Sequence, residues 1–219
     1  NTVIAISKFI KEHINQNYNP QNKLNVIPRG VNIEKFSPSK VTPARMIAIA
    51  KKLKIEEVKN TILMPGRLTD WKGHRLAIKM LTLLKTKDVK LIIVGDVQGR
   101  ENYKASLIKL SKYKNVENKI IFAEHTIDLP AYMQLADVVL SCSTKPEAFG
   151  RTILEGQAMG VPVVAFNHGG SVELIKNNKN GLLAKVGDLQ DLATKIDQTL
   201  QLSSEDRKKI YKESIKKDR

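Results

Sequence analysis

The sequence predicts an α/β fold, a doubly wound parallel sheet covered by helices, and three observations carry that prediction. Short β-branched runs alternate with longer amphipathic stretches through most of the 219 residues, the pattern that generates parallel strands joined by helical crossovers. The runs are apolar almost without interruption, as strands buried on both faces must be. Finally, 42% of the residues are hydrophobic, enough for one main core, while no apolar run approaches the roughly 18 residues that a membrane helix needs.

The elements follow in order. Ile4-Ala5-Ile6 and then Lys8–Asn15 suggest a strand and a helix, and Val26-Ile27-Pro28-Arg29-Gly30-Val31 a strand ending in a turn. The chain opens on this segment without an initiator Met, so residues 1–24 read as a linker and the tail of a preceding domain, 25–202 as the main domain, and 203–219 as a C-terminal helix. Strands are expected at Thr61–Met64, Leu91–Val94, Ile120–Phe122, Val138–Leu140, Val161–Ala165 and Gly181–Ala184. Helices are expected near 73–87, 101–113, 128–135, 151–159 and 171–177, with Ser171 as a cap for the last of these. Two more begin after Asp188 and Ser203, each a small acceptor with an acid in the turn that follows.

Charge and cysteine usage narrow the function classes. A formal net charge of +15 implies attraction to an anion, either a phosphate-bearing ligand or an acidic membrane surface. With 5% aromatic residues and no recognisable nucleic-acid motif, nucleic acid is disfavoured. Many of the lysines, Lys51-Lys52 and Lys208-Lys209 among them, fall on solvated helix faces. Cys142 stands alone, which excludes a disulfide framework and fits a reducing compartment. The N-terminus lacks the features of a signal peptide, so the expectation is a cytoplasmic protein with peripheral contact at the inner face of the membrane.

In doubly wound sheets ligands sit beyond the carboxyl ends of the strands, and three strand-to-helix loops hold unusual residues. In Pro65-Gly66-Arg67-Leu68-Thr69-Asp70-Trp71-Lys72-Gly73, Gly66 permits close backbone approach, Arg67 offers a planar fork for phosphate, and Lys72 adds a point charge. In Lys145–Gly156, Glu147 lies in the loop and Glu155 about two turns into the next helix, so two carboxylates face the cleft at different heights and suit two hydroxyl clusters of an extended ligand. Amides around Phe149, Gly150 and Arg151 at the helix start favour an anion or sugar oxygens. The third loop, Asn167-His168-Gly169-Gly170-Ser171-Val172-Glu173, allows a tight turn, and His168 is a weak catalytic candidate without an acidic partner in sequence. Gly95-Asp96 forms another turn lining the cleft. There is no Gly-x-Gly-x-x-Gly and no Walker-type loop, and the histidines and the single cysteine show no metal-ligand spacing. A metal-free, cation-based phosphate site is what these residues suggest.

The series Val26–Asn32 with Phe36-Ser37-Pro38, Gly66-Arg67-Leu68 with Lys72-Gly73, Gly95-Asp96, Pro146–Gly150, Glu155, and Gly169-Gly170 with Glu173 resembles, in order, the C-terminal domain of the group 1 retaining glycosyltransferases, carbohydrate-enzyme family 4. Arg29 stands where many members carry Asn, and Asn32 where many carry Asp. The resemblance implies a Rossmann-like domain, the C-terminal half of a GT-B enzyme, that holds a nucleotide diphosphate sugar without a metal or other cofactor. Arg67 and Lys72 would carry the diphosphate. Glu147 would bind the sugar hydroxyls without acting as a nucleophile, helped by Ala148, Phe149, Gly150, Arg151 and Thr152, with Arg67, Lys72 and Glu147 as the catalytic set. Glu155 would bind the ribose, and Gly66, Gly95, His125 and Thr126 would complete the donor site near the base. A glycan or lipid acceptor, such as lipopolysaccharide or another cell-envelope glycoconjugate, would be held by an N-terminal domain. The alternative is a binding remnant that keeps the nucleotide-sugar site without catalysis.

Overall fold

The computed structural model describes residues 2–18 and 23–216. Asn1, residues 19–22 of the expected 1–24 segment and the last three positions of the expected 203–219 helix lie outside them. The chain begins with β1 (Thr2–Ala5), α1 (Lys8–Tyr18) and β2 (Lys23–Val26). Here β1 and β2 pair in parallel as a two-stranded sheet of their own. A segment with a turn at 33–35 and a 3-10 turn at Pro38–Lys40 then leads to α2 (Pro43–Leu53).

From there strands and helices alternate: β3 (Asn60–Pro65), α3 (His74–Met80), β4 (Val89–Val94), α4 (Glu101–Tyr113), β5 (Ile120–Ala123), α5 (Leu129–Gln134), β6 (Val138–Ser141), α6 (Arg151–Ala158), β7 (Val163–Phe166), α7 (Ser171–Leu174), β8 (Leu182–Ala184), α8 (Leu189–Leu200) and α9 (Ser204–Ser214). Strands β3 to β8 form one all-parallel sheet in the order β5-β4-β3-β6-β7-β8, which is the doubly wound arrangement the alternation predicts.

Strand periodicity divides the core in two. Ile62, Met64, Leu91, Ile93, Val138, Leu140, Val164 and Phe166 face a cluster completed by Ala77 and Ile78 of α3, Leu107 of α4 and Ile196 of α8. Their neighbours Leu63, Ile92, Val94, Val139, Val163 and Ala165 face the opposite cluster, with Ile49 of α2, Met133 of α5 and Ile153 of α6. Ile62, Leu63, Leu91, Ile92 and Ile93 are no more than 1% exposed. Burying a side chain of this size is worth about 1.5–3 kcal/mol, so the strands hold the site's backbone firmly.

Several boundaries differ from the sequence reading, each for a local reason. Helix α3 stops at Met80 instead of reaching 87, because Asp197 of α8 captures the Lys85 and Thr86 amides at 2.9 and 3.0 Å. Helix α7 stops at Leu174 instead of 177, where its carbonyl accepts from the Gln157 and Asn180 side-chain amides. Ser171 does not cap that helix; its hydroxyl turns back onto the Phe166 and His168 carbonyls. The strand expected from Val26 ends there, since Pro28 has no N–H to continue the ladder. Helix α2 falls in a part of the expected main domain for which the sequence reading named no element, although its start signals are ordinary: Thr42 Oγ1 accepts from the Arg45 amide and Pro43 opens the first turn. The Asp188 and Ser203 caps form as expected.

Candidate functional site

The order of strands reverses between β3 and β6, so the chain leaves these adjacent strands toward opposite faces and a crevice opens above them. The loop leaving β3 contains Gly66, whose amide bonds to the Val94 carbonyl at 2.8 Å. A Cβ on Gly95 would lie 1.8 Å from the Gly66 carbonyl oxygen, so the turns after β3 and β4 touch only because Gly95 has no side chain. Residues 70–72 then make one 3-10 turn that aims Lys72 back across the crevice. The Lys72 ammonium sits 4.6 Å from the centre of the Trp71 ring.

The loop leaving β6 meets the first one directly, with the Thr144 amide donating to the Trp71 carbonyl at 2.7 Å. Across this contact Lys72 Nζ lies 2.8 Å from Glu147 Oε1, and the two side chains are 16% and 19% exposed. Ser143, itself buried, donates its hydroxyl to the same oxygen. His168 Nε2 lies 2.8 Å from the Ser143 carbonyl, which can only accept, so the ring carries its proton there. His168 therefore supports the Glu147 loop from behind. The sequence shows no sign of the Ser143 and His168 contacts, because their spacing from Glu147 is set by tertiary packing.

Helix α6 begins at Arg151 after Gly150, so Glu155 lies just over one turn into it, not two. Glu155 is 8% exposed. Burial raises its pKa, an effect partly offset by Arg151, 3.2 Å away. The Ile153 amide bonds to the Gly150 carbonyl at 3.0 Å, whereas the Arg151 and Thr152 amides ahead of it have no bond among the described residues and remain open to an acceptor. Arg67 is exposed, and its guanidinium makes no hydrogen bond or ion pair among the described residues. Cys142 is buried behind the loops; burial pushes its thiol up to about 12, which removes it as a nucleophile.

These groups surround one cavity of about 640 Å³, within the range of small-molecule sites. Gly66, Arg67 and Lys72 line it from the β3 loop, Gly95 from the β4 loop, and His125 and Thr126 from the β5 loop. Glu147, Ala148, Phe149, Gly150, Arg151, Thr152 and Glu155 close the opposite wall. Every residue the resemblance assigns to the donor site thus lines the same space, whereas His168, the weak catalytic candidate, does not. Arg29 of the Val26–Asn32 segment lines it as well, and so do Ile6, Gln98 and Leu129, which no motif in the sequence indicates. Among the described residues no cluster of His, Cys, Asp and Glu is arranged to hold a metal ion, and no helix is long and apolar enough to cross a membrane.

Comparison with known proteins adds the family. The description "Glycosyl transferases group 1" matches residues 46–217. A GDP-mannose-dependent alpha-(1-6)-phosphatidylinositol monomannoside mannosyltransferase of Mycobacterium tuberculosis is 30% identical over 83% of this chain and 48% of its own length. The crystal structure of a glycosyltransferase from Rickettsia africae is 36% identical, superposes with a TM-score of 0.93, and is covered over 57% of its length by 98% of this chain. The Anabaena protein Alr3699/HepE in complex with UDP and glucose gives 29% identity and a TM-score of 0.88, with 97% of this chain covering 57% of it. The chain spans about half the length of the relatives it matches. With the family description matched over residues 46–217 and the fold shared with its structural relatives, the chain belongs to the group 1 glycosyltransferases and has the Rossmann-like fold of a GT-B C-terminal domain.

Proposed function

We propose that the chain is the donor-binding part of a retaining, metal-independent glycosyltransferase that, with an N-terminal acceptor domain, transfers a sugar from a nucleotide diphosphate to a glycan or lipid. The observation that carries the proposal is the cation arrangement: Arg67 unpaired on the cavity wall, and Lys72 held 2.8 Å from Glu147 beside it. A lysine ammonium has three donors. One serves Glu147, which leaves capacity for a diphosphate oxygen while the carboxylate stays fixed. As the glycosidic bond breaks, negative charge accumulates on the departing diphosphate, and two preplaced cations stabilise it without reorganisation. Glu147 and the α6 amides then take the sugar hydroxyls, Glu155 the ribose, and the His125–Thr126 loop lies beside the base. The Anabaena neighbour holding UDP and glucose favours a UDP-sugar, whereas the mycobacterial relative's name specifies GDP-mannose. The net charge of +15 supports peripheral docking on an anionic membrane at its cytoplasmic face, where lipid-linked and envelope acceptors are found.

The test is thermal unfolding of the chain with UDP, GDP and their sugars, without magnesium and with chelator. A ligand at one hundred times its Kd stabilises by about 2.7 kcal/mol, so a rise in Tm that survives chelation is the expected result. A rise that appears only with a divalent cation would overturn metal independence, and no rise with any nucleotide would overturn the donor site.

Variants separate the two carboxylates. Glu155→Ala is expected to weaken free nucleoside diphosphate by roughly ten- to a hundredfold, since charge-assisted hydrogen bonds contribute about 1.5–3 kcal/mol. Glu147→Ala should instead remove the extra affinity that the attached sugar provides. Calorimetry with UDP and a UDP-sugar checks this, and equal losses for both ligands in both variants would refute the division.

A further inference from the structure

The β1–α1–β2 unit is fastened at two separate points, one on the Glu147 loop and one on α7. Ser7 is 1% exposed. Its hydroxyl accepts from the Ile10 amide at 3.1 Å and donates to the Ala148 carbonyl at 2.6 Å, so one side chain caps α1 and bonds across 141 residues. The Glu173 carboxylate of α7 receives both the Lys8 amide at 2.9 Å and the Phe9 amide at 2.8 Å. These are the first amides of α1, which have no partner within their own helix.

Glu173 reaches the Glu147 loop by a second route through its own segment. The Gly170 amide bonds to the Glu147 carbonyl at 2.8 Å. A Cβ on Gly169 would lie 2.7 Å from the Glu147 carbonyl oxygen, and one on Gly170 would lie 2.3 Å from that of Phe149. Backbone is thus packed on backbone with no space between. Ser7, Glu173 and residues 147–149 form a closed ring of contacts, and Ile6, in the same turn as Ser7, lines the cavity.

We infer that Glu173, together with Ser7, is a positioning residue: it latches the β1–α1–β2 unit onto the loop that carries Glu147, so that the seating of that unit sets how Glu147 meets the ligand. The latch rests on contacts between residues of this chain. Its consequence for sugar binding rests on the role proposed above for Glu147. In Glu173→Gln the carboxamide turns one donor toward the α1 amides, which have only donors to offer, whereas Ser7→Ala removes the second fastening and leaves Glu173 intact. Neither side chain lines the cavity.

Amide hydrogen exchange and nucleotide calorimetry on the whole chain test the inference. Cap interactions of this kind correspond to roughly three- to thirtyfold in a local opening equilibrium. Exchange of the amides at 8–10 is therefore expected to accelerate by that range in Glu173→Gln, and to accelerate further in the double variant, while β3, β4 and β6 keep their protection. UDP affinity should stay within about twofold, and the additional affinity for a UDP-sugar should fall at least threefold. A merely structural role would lower both affinities or neither, and either result would overturn the positioning role. Unchanged exchange at 8–10 in both variants would overturn the latch itself. If the unaltered chain bound no nucleotide sugar while exchange still accelerated, the latch would stand and the reading of Glu147 would fail.

Discussion

Arg67→Ala is expected to weaken nucleoside diphosphate binding by about 2–3 kcal/mol, thirty- to more than a hundredfold in Kd, without lowering the stability of the unliganded protein. Both halves follow from the geometry. Arg67 lines the cavity, and its guanidinium makes no hydrogen bond or ion pair among the described residues, so truncation leaves no group unsatisfied. Lys72 differs because it neutralises the mostly buried Glu147 carboxylate, and removing it strands that charge. Lys72→Met should therefore cost both affinity and stability, which makes Arg67 the cleaner probe. Arg67→Lys keeps the charge but loses the bidentate fork, and should recover only part of the loss. Calorimetry with UDP or GDP beside denaturant unfolding checks the separation. An Arg67→Ala variant that binds nucleotide as tightly as the unaltered chain would remove the cation pair from the mechanism.

The strands and loops of this site were legible in the sequence because they obey local rules. Apolar runs such as Leu91–Val94 can satisfy burial on both faces only inside a parallel sheet, and the loops that follow such strands face one edge by construction. Arg67, Lys72, Glu147 and Glu155 could thus be assigned to one cleft before any contact was visible. What the sequence withheld depends on distant pairings. Asp197 ends α3 from more than a hundred residues away, and Ser7 meets Ala148 across 141. His168 was visible as a loop histidine, yet its use, holding the Ser143 carbonyl, depends on how two strand ends align. Helix α2 is a different case: Thr42 and Pro43 announced it, and the surrounding irregular stretch concealed it.

Turnover is where the largest effect is expected: the 219 residues by themselves should bind donor yet transfer sugar poorly. The described residues hold one doubly wound sheet and one small β1–α1–β2 unit, whereas the relatives are about twice as long. The cavity is walled on the donor side by the loops after β3, β4, β5 and β6, while the β1–α1–β2 unit contributes only its first turn through Ile6. Among the described residues that unit lines the cavity through Ile6 alone, which is little surface to orient an acceptor hydroxyl. Holding two reactants in register contributes about 7–11 kcal/mol to lowering a barrier. Each 1.36 kcal/mol is tenfold in rate, so losing even half of the lower figure slows transfer by more than about a hundredfold. An open face also admits water to the reacting carbon, so slow donor hydrolysis is the residual reaction expected. The measurement is a transfer assay with the purified chain, a matched UDP- or GDP-sugar, and saccharide and lipid acceptors, repeated with the chain fused behind the N-terminal half of the Rickettsia africae relative. Transfer should rise with the fusion while donor affinity stays nearly constant, because the acceptor half adds orientation and leaves Arg67 and Lys72 where they are. Rapid transfer by the 219 residues alone would show that they carry an acceptor site of their own, and the region around Ile6 and Arg29 at the cavity mouth would be the place to look for it.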